Sequence, residues 1–511
     1  MDTSDCELCD IIWTVLAECP CDRSFHVGSF DKALSSTCVR HNAIFKWFRD
    51  LPRESDLACD PSNHGRGLSA NLCLVRDEFV EGHLGIARVL DPEWIDISVV
   101  DRWLKRCTSH HRTGCENPMK IWRTRPAWVV DTETKRLVPG EECDSFIALS
   151  YRWGRASKLH IPGGAISTLR KPYALDDPAI SSQLAPMVRH AIELTPVIGQ
   201  RYIWVDSLCI DHSRVAESTR ELQRMGAIYA NATLTIVAFD GDAQDGFPGL
   251  RGISRAKDPD DGRCVAFGED QFIHDKDPYI GLMVRDRYPY HDRGWTYQEF
   301  HMSPRRLVFS GSSLHWLCQN SVWEEHLHDG VEGNKHKNFE TDMSEIMRGM
   351  PNLRTLGMLI EDYNDCVLAF EEDALPGITG LLTVSSRCFS GGFLCGIPEM
   401  LFEAALSWKP KGWCTNLRRR TFSKRPGSSQ LHPCYLPSWS WIGWKGPVDI
   451  GMDEAGPAHI RNDKIKETIP ITTWYACNSP KPSGLGKRRI DNSWFRDRET
   501  YKDFERPLPP G

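Results

Sequence analysis

Between residues 146 and 239 three short, almost wholly apolar runs are separated by two stretches with helical periodicity. Strands covered on both faces read as continuous apolar runs, and parallel neighbours need a helical crossover between them. The alternation therefore calls for an α/β fold: a largely parallel open sheet with flanking helices, Rossmann-like in its core. FIALSY (146–151) is the first run, with Gly154 placed to release the chain into a turn. Leu184, Met187, Val188, Ala191, Ile192, Thr195 and Ile198 recur at helical spacing, which predicts a helix over 184–198 ended by Gly199. YIWVDSLCI (202–210) reads as the second strand, apolar except for Asp206 and Ser207 near its carboxyl end. A helix over 214–230 with Ser213 as its cap follows, and TLTIVAF (233–239) is the third strand.

The carboxyl ends of strands in open α/β sheets are where ligands bind, so Asp206 and Ser207 are better site candidates than polar residues elsewhere. Asp206 lies in an otherwise apolar run and needs a donor if buried, with Arg293 a candidate. Asp211 and His212 after a strand read as helix-capping residues rather than an acid–base dyad. Cys209 reads as a small buried hydrophobe. No complete Walker A sequence, GxGxxG after a strand, HExxH or GxSxG occurs. That argues against nucleotide kinases, dehydrogenases, zincins and serine hydrolases.

At 511 residues the chain exceeds one ordinary core. The expected organisation is a Cys-rich region over 1–125, an α/β domain over 126–310, a mixed α+β extension over 311–460 and a polar, loosely ordered tail over 461–511. The extension carries Gly391-Gly392, Gly396-Ile397-Pro398 and the run PSWSWIGW (437–444), whose three tryptophans are too apolar to stay unpacked. The segment RLVFSGSSLHWLC (306–318) reads as a hairpin around Gly311-Ser312.

A formal charge of −7 on a chain with 41% apolar and 26% charged residues supports neither a nucleic-acid groove nor an anionic membrane as the main partner. No apolar run approaches the roughly 20 residues of a bilayer span, and MDTSDCELCD carries acids where a secretory signal carries bases. The expectation is a cytoplasmic protein whose 19 cysteines are reduced. Two clusters have short, soft-ligand spacing: Cys6, Cys9, Cys19, Cys21 and His26, and Cys107, His110, His111 and Cys115. Neither completes the paired pattern of a zinc finger, so packed thiols are the first reading and zinc the alternative.

FIALSYRWG (146–154), RYIWVDSLCIDH (201–212) and RGWTYQE (293–299), in this order, resemble the heterokaryon-incompatibility (HET) domain family. Glu221-x3-Met225-x3-Tyr229, the TLTIVA strand and the Gly246-Phe247-Pro248-Gly249 turn also look like the family. The departures are His212, Arg152 and Tyr297, where Gln, Val and Leu are common. Trp103, Cys107, His110 and Cys115 look like the segment that often precedes the domain, and PSWSWIGW resembles its usual C-terminal extension.

The resemblance implies a part in fungal nonself recognition and programmed cell death, through self-association or another incompatibility protein. The HET core is also distantly similar to TIR domains, several of which cleave NAD with a helix-borne glutamate. Carried over, Glu221 is the catalytic candidate, with NAD as substrate. Helical spacing sets Glu221 beside Met225, so it is expected to be partly buried, and an ion pair with Arg152 or Arg293 is the structural reading. Tyr151, Trp153, Asp206, Ser207, Arg293, Trp295 and Glu299 are the substrate-binding candidates. Trp153, Trp204 and Trp295 could equally be core, and Glu299 could cap a helix or tether a loop. The rival to the enzyme is a non-catalytic signalling module.

Overall fold

A computed structural model describes residues 86–154, 165–211, 214–257, 289–310, 313–331 and 349–412. Shorter pieces are described at 6–7, 9–10, 25–29, 38, 56–59, 72–75, 264–267, 270–274, 346–347, 417–424, 431–433, 435–450, 472–477 and 487–497. Cys19, Cys21, His212, Ser213 and the turn residues Gly311 and Ser312 lie outside the described residues.

Eight strands form the central sheet: β1 (Trp128–Asp131), β2 (Arg136–Pro139), β3 (Ile147–Ser150), β4 (Tyr202–Trp204), β5 (Thr235–Ala238), β6 (Arg305–Ser310), β7 (Ser313–Cys318) and β8 (Val322–Glu324). They lie side by side in the order β8-β7-β6-β5-β3-β4-β1-β2. The inner four, β4, β3, β5 and β6, run parallel. At one edge the β1–β2 hairpin adds antiparallel to β4, and at the other β7 and β8 continue antiparallel from β6. The parallel expectation thus holds for the centre of the sheet and not for its edges. Connections of only a few residues can join antiparallel neighbours but cannot cross over between parallel ones. The expected hairpin is β6–β7, with Ser310 opposite Ser313.

Six helices matter to the site and its supports: α1 (Ser98–Arg106), α2 (Pro186–Val197), α3 (Val215–Asn231), α4 (Gly294–Met302), α5 (Leu353–Asn364) and α6 (Thr379–Ser385). α2 follows the expected stripe, burying Met187, Val188, Ala191, Ile192 and Thr195. α3 begins after Arg214, whose side chain makes no cap. The expected second strand is shorter than its apolar run. β4 ends at Trp204, and Asp206–Cys209 forms a helical turn in which the Cys209 and Ile210 amides donate to the Val205 and Asp206 carbonyls. Aspartate and serine favour the start of a helix over a strand interior, and the turn still buries Leu208 and Cys209.

Helices α3 and α6 cross at two glycines. A Cβ on Gly226 would lie 2.8 Å from the Gly380 Cα, and the Gly380 amide donates to Gln298 Oε1 of α4 at 2.6 Å. All of α4 is buried, because the sheet lies on one side of it and the C-terminal extension on the other. In that extension Arg420 is fully buried and donates to Glu371 (2.6 Å) and the Trp444 carbonyl (3.1 Å). Of the three clustered tryptophans Trp441 is in the core, bonded to the Gly396 carbonyl, while Trp439 stays 42% exposed. Within the polar tail, Tyr475–Cys477 pairs with Lys487–Arg489, Arg488 bonds to Glu399, and Trp494 is buried. Among the described residues no helix is long and apolar enough to cross a membrane.

Candidate functional site at the end of the first parallel strand

Counted along the chain, the parallel strands β3, β4, β5 and β6 stand in the spatial order second, first, third, fourth. The direction of winding reverses beside β3, and a crevice at the carboxyl end of such a strand is the usual ligand site of a doubly wound sheet. Polar residues gather there. Ser150, the last residue of β3, donates to Glu299 Oε2 at 2.5 Å and its oxygen lies 2.6 Å from the Tyr290 hydroxyl. Tyr229 of α3 bonds the Leu149 carbonyl at 2.9 Å beside them.

The next residue out, Tyr151, donates its hydroxyl to Ser207 Oγ at 3.0 Å, and its carbonyl accepts from the Arg293 guanidinium at 3.1 Å. That guanidinium lies 5.2 Å from the centre of the Trp153 ring. The Trp153 indole N–H in turn donates to Asp206 Oδ2 at 2.8 Å, while the Ser207 amide holds Asp206 Oδ1 at 2.7 Å. Gly154 makes the turn possible: its φ is +71°, and a Cβ there would lie 2.2 Å from Asp242 Oδ2. Trp153, Ser207 and Arg293 are half-buried, whereas Ser150, Glu299 and Tyr290 are closed off behind them.

Burial pushes the Glu299 carboxyl up to about 7, with the Asp206 charge adding to the rise and Arg293, Ser150 and Tyr229 opposing it. Desolvation likewise raises the Tyr151, Tyr229 and Tyr290 phenols well above their ordinary value. The edge therefore combines a carboxyl that is neutral on the acid side of neutrality, a carboxylate (Asp206) and a cation stacked on an aromatic ring. These groups can hydrogen-bond a polyhydroxylated ligand and stack a flat one.

Five of the substrate-binding candidates, Tyr151, Trp153, Asp206, Ser207 and Arg293, are joined by these contacts, and Glu299 lies behind them. Trp295 turns away from them, its indole N–H donating to Asp373 Oδ2 at 3.2 Å. Glu221 is buried but does not join the group. Its carboxylate accepts from the Ala127 amide (3.2 Å) and pairs with Arg224 (3.1 Å), not with Arg152 or Arg293. An arginine three residues on shares its helix face, a spacing available in the sequence itself. Cys209 is the expected buried hydrophobe, its thiol raised by desolvation. Trp204 is entirely core.

Ser150, Tyr229 and Tyr290 were not among the candidates read from sequence. Ser150 is the one hydroxyl inside IALS, a signal that was present. Tyr290 comes from the polar stretch before α4, and only its position against Phe239, 4.9 Å between ring centres, gives it a place.

Among the described residues two groups of cysteines come together. Cys107, His111, Cys115 and Cys318 offer four ligand atoms within 4.8 Å of one another, and Cys6, Cys9 and Cys38 offer three. His110 is exposed and bonds the Arg106 carbonyl, so His111 is the imidazole of the first group. Cys318, over two hundred positions on, could not be read from local spacing. A cleft of about 570 Å³ opens near this group, at the amino ends of the parallel strands, lined by Phe146, Thr233 and Arg305.

No curated protein and no solved structure matches the chain. Residues 146–299, which run from β3 into α4 and carry every residue of the sheet-edge cluster, match the family described as heterokaryon incompatibility protein (HET); this match over that segment supports a HET-domain protein with a role in heterokaryon incompatibility.

Proposed function

We propose that this protein takes part in nonself recognition and programmed cell death in filamentous fungi, and that the edge of its sheet beyond β3 binds and cleaves NAD in a TIR-like manner. One observation carries the reading: the reversal of strand order falls where Trp153, Asp206, Ser207 and Arg293 are joined by hydrogen bonds and stacking. Trp153 and Arg293 supply a face for a flat ring. Asp206 supplies a carboxylate for ribose hydroxyls and for the oxocarbenium-like charge that develops as nicotinamide leaves. The bond between nicotinamide nitrogen and ribose C1′ breaks, water oxygen bonds to C1′, neutral nicotinamide departs and one proton goes to solvent. Glu299 acts from behind, by setting the charge felt by Arg293. Self-association, or contact with another incompatibility protein, is the trigger.

Incubation of concentrated protein with NAD, following nicotinamide release, tests this. Wild type and Glu221→Gln are expected to release nicotinamide and Asp206→Asn to lose that activity. The second reading is a non-catalytic signalling module, favoured by the ion pair that holds Glu221 and by the burial of Glu299. Absence of nicotinamide release from wild type in oligomeric preparations leaves that module as the function.

A further inference from the structure

Cys107 closes α1, His111 ends the single π-helical turn that follows, Cys115 sits in the short helix Thr113–Glu116, and Cys318 ends β7. We propose that these four residues bind one zinc ion, a structural Cys3His site clamping the segment before the HET domain to the hairpin after it. This rests on nothing in the NAD reading.

The geometry is that of a closed tetrahedral set. Zinc–sulfur bonds of about 2.3 Å place tetrahedral ligand atoms roughly 3.8 Å apart, and all four ligand atoms here fall within 4.8 Å of one another. The three sulfurs are completely buried. His111 presents Nδ1 to Cys318 Sγ at 3.5 Å, while its Nε2 lies 3.3 Å from the Ser321 hydroxyl. A ligating imidazole needs such an outer partner to hold the proton on its other nitrogen. The ring is also stacked on Trp323, 5.7 Å between centres, which fixes its plane.

Donors point at two of the three sulfurs, and the Ser321 carbonyl lies 3.5 Å from Cys318 Sγ. The Ser321 amide points at Cys318 Sγ (3.3 Å), and the Arg305 guanidinium points at Cys107 Sγ (3.3 Å). Arg305 is only 4% exposed, and its other hydrogen bond goes to the neutral Thr233 carbonyl. Among the described residues no carboxylate pairs with it. A buried guanidinium requires an anion, which three neutral thiols do not provide. Three thiolates, one neutral imidazole and Zn2+ carry a net charge of −1, which Arg305 balances. Binding sends the three thiol protons to solvent.

The test uses the full chain purified under reducing conditions, with metal measured by mass spectrometry. Cys318→Ser and His111→Ala are expected to lower the zinc content by about one equivalent per chain relative to wild type. Cys9→Ser, in the other thiol group, keeps that equivalent. Where Cys318→Ser fails to fold, Co2+ substitution decides. Wild type should show the visible bands of tetrahedral cobalt, and His111→Cys should retain them with thiolate-to-cobalt absorption raised by about a third, as a fourth thiolate joins three. Zinc content unaffected by both ligand substitutions, wild type that takes up neither Zn2+ nor Co2+, or a disulfide between two of the three cysteines in the reduced preparation would overturn the proposal.

Discussion

The Ser150 hydroxyl donates to the Glu299 carboxyl at 2.5 Å, joining the end of the first parallel strand to a helix 149 positions further along the chain. This contact ties β3 to α4 and puts a carboxyl raised by burial under the residues that face outward.

Stability should fall with pH because of Glu299. Its folded value is raised to about 7, above the unfolded value, so the folded state holds the proton longer than the unfolded chain. The stabilisation is complete below about pH 4.5 and is lost as pH rises through about 7, on the order of 3 kcal/mol in all. Urea unfolding of wild type and Glu299→Gln between about pH 5 and about pH 8 checks this. The variant should have the flatter profile. Equal slopes would show that Glu299 titrates normally.

Removing the cation should move the same group further. Arg293 is the largest influence opposing the rise at Glu299, so Arg293→Ala should shift its titration upward by roughly one unit. Infrared difference spectra of the protonated carboxyl, read against pH with Glu299→Gln as the blank, measure it directly. A downward shift would mean that the arginine does not act on Glu299.

The α3–α6 crossing leaves no room for a side chain. Gly226→Val would drive a Cβ to within 2.8 Å of the Gly380 backbone and should destabilise the fold by about 2 kcal/mol. Gly199→Ala is the contrasting control: nothing lies within 4 Å of a Cβ there, although its φ of +71° adds backbone strain. Thermal melts of both variants separate steric cost from backbone cost.

Arg420 should be the most sensitive residue of the C-terminal extension. Desolvation alone would raise Glu371, but Arg418 and Arg420 outweigh it and hold its pKa below the ordinary value. Glu371 therefore contributes stability present above its unfolded value and lost as pH falls. Arg420→Met should cost on the order of 3 kcal/mol near neutrality and shrink that acid-sensitive part. Urea midpoints at neutral and acid pH provide the comparison.

Much of the architecture was readable from local pattern. IALS, TIVA and the stripe Met187, Val188, Ala191, Ile192 each state their burial through spacing, because strand and helix periods differ and an apolar face must be covered. Asp206 and Ser207 were legible as a strand-end pair, although they begin a helical turn instead of ending a strand. The antiparallel edges were less visible, since β1, β2 and β8 are only three or four residues long and carry little periodicity.

Periodicity and motif order are properties of neighbouring residues, so the chain of letters alone points to the inner strands, the helices between them and the HET segment, though not to every boundary. Which carboxyl is desolvated is settled by long-range packing. Glu221 and Glu299 both lie on helices and both are buried, yet Glu221 meets Arg224 on its own helix while Glu299 meets Ser150 of β3 and Tyr229 of α3, with Tyr290 bonded to that serine. The same holds for Cys318, which joins Cys107, His111 and Cys115 only because β7 returns beside α1. Desolvation and ligand geometry depend on distance in space, and only folding converts separation along the chain into that distance.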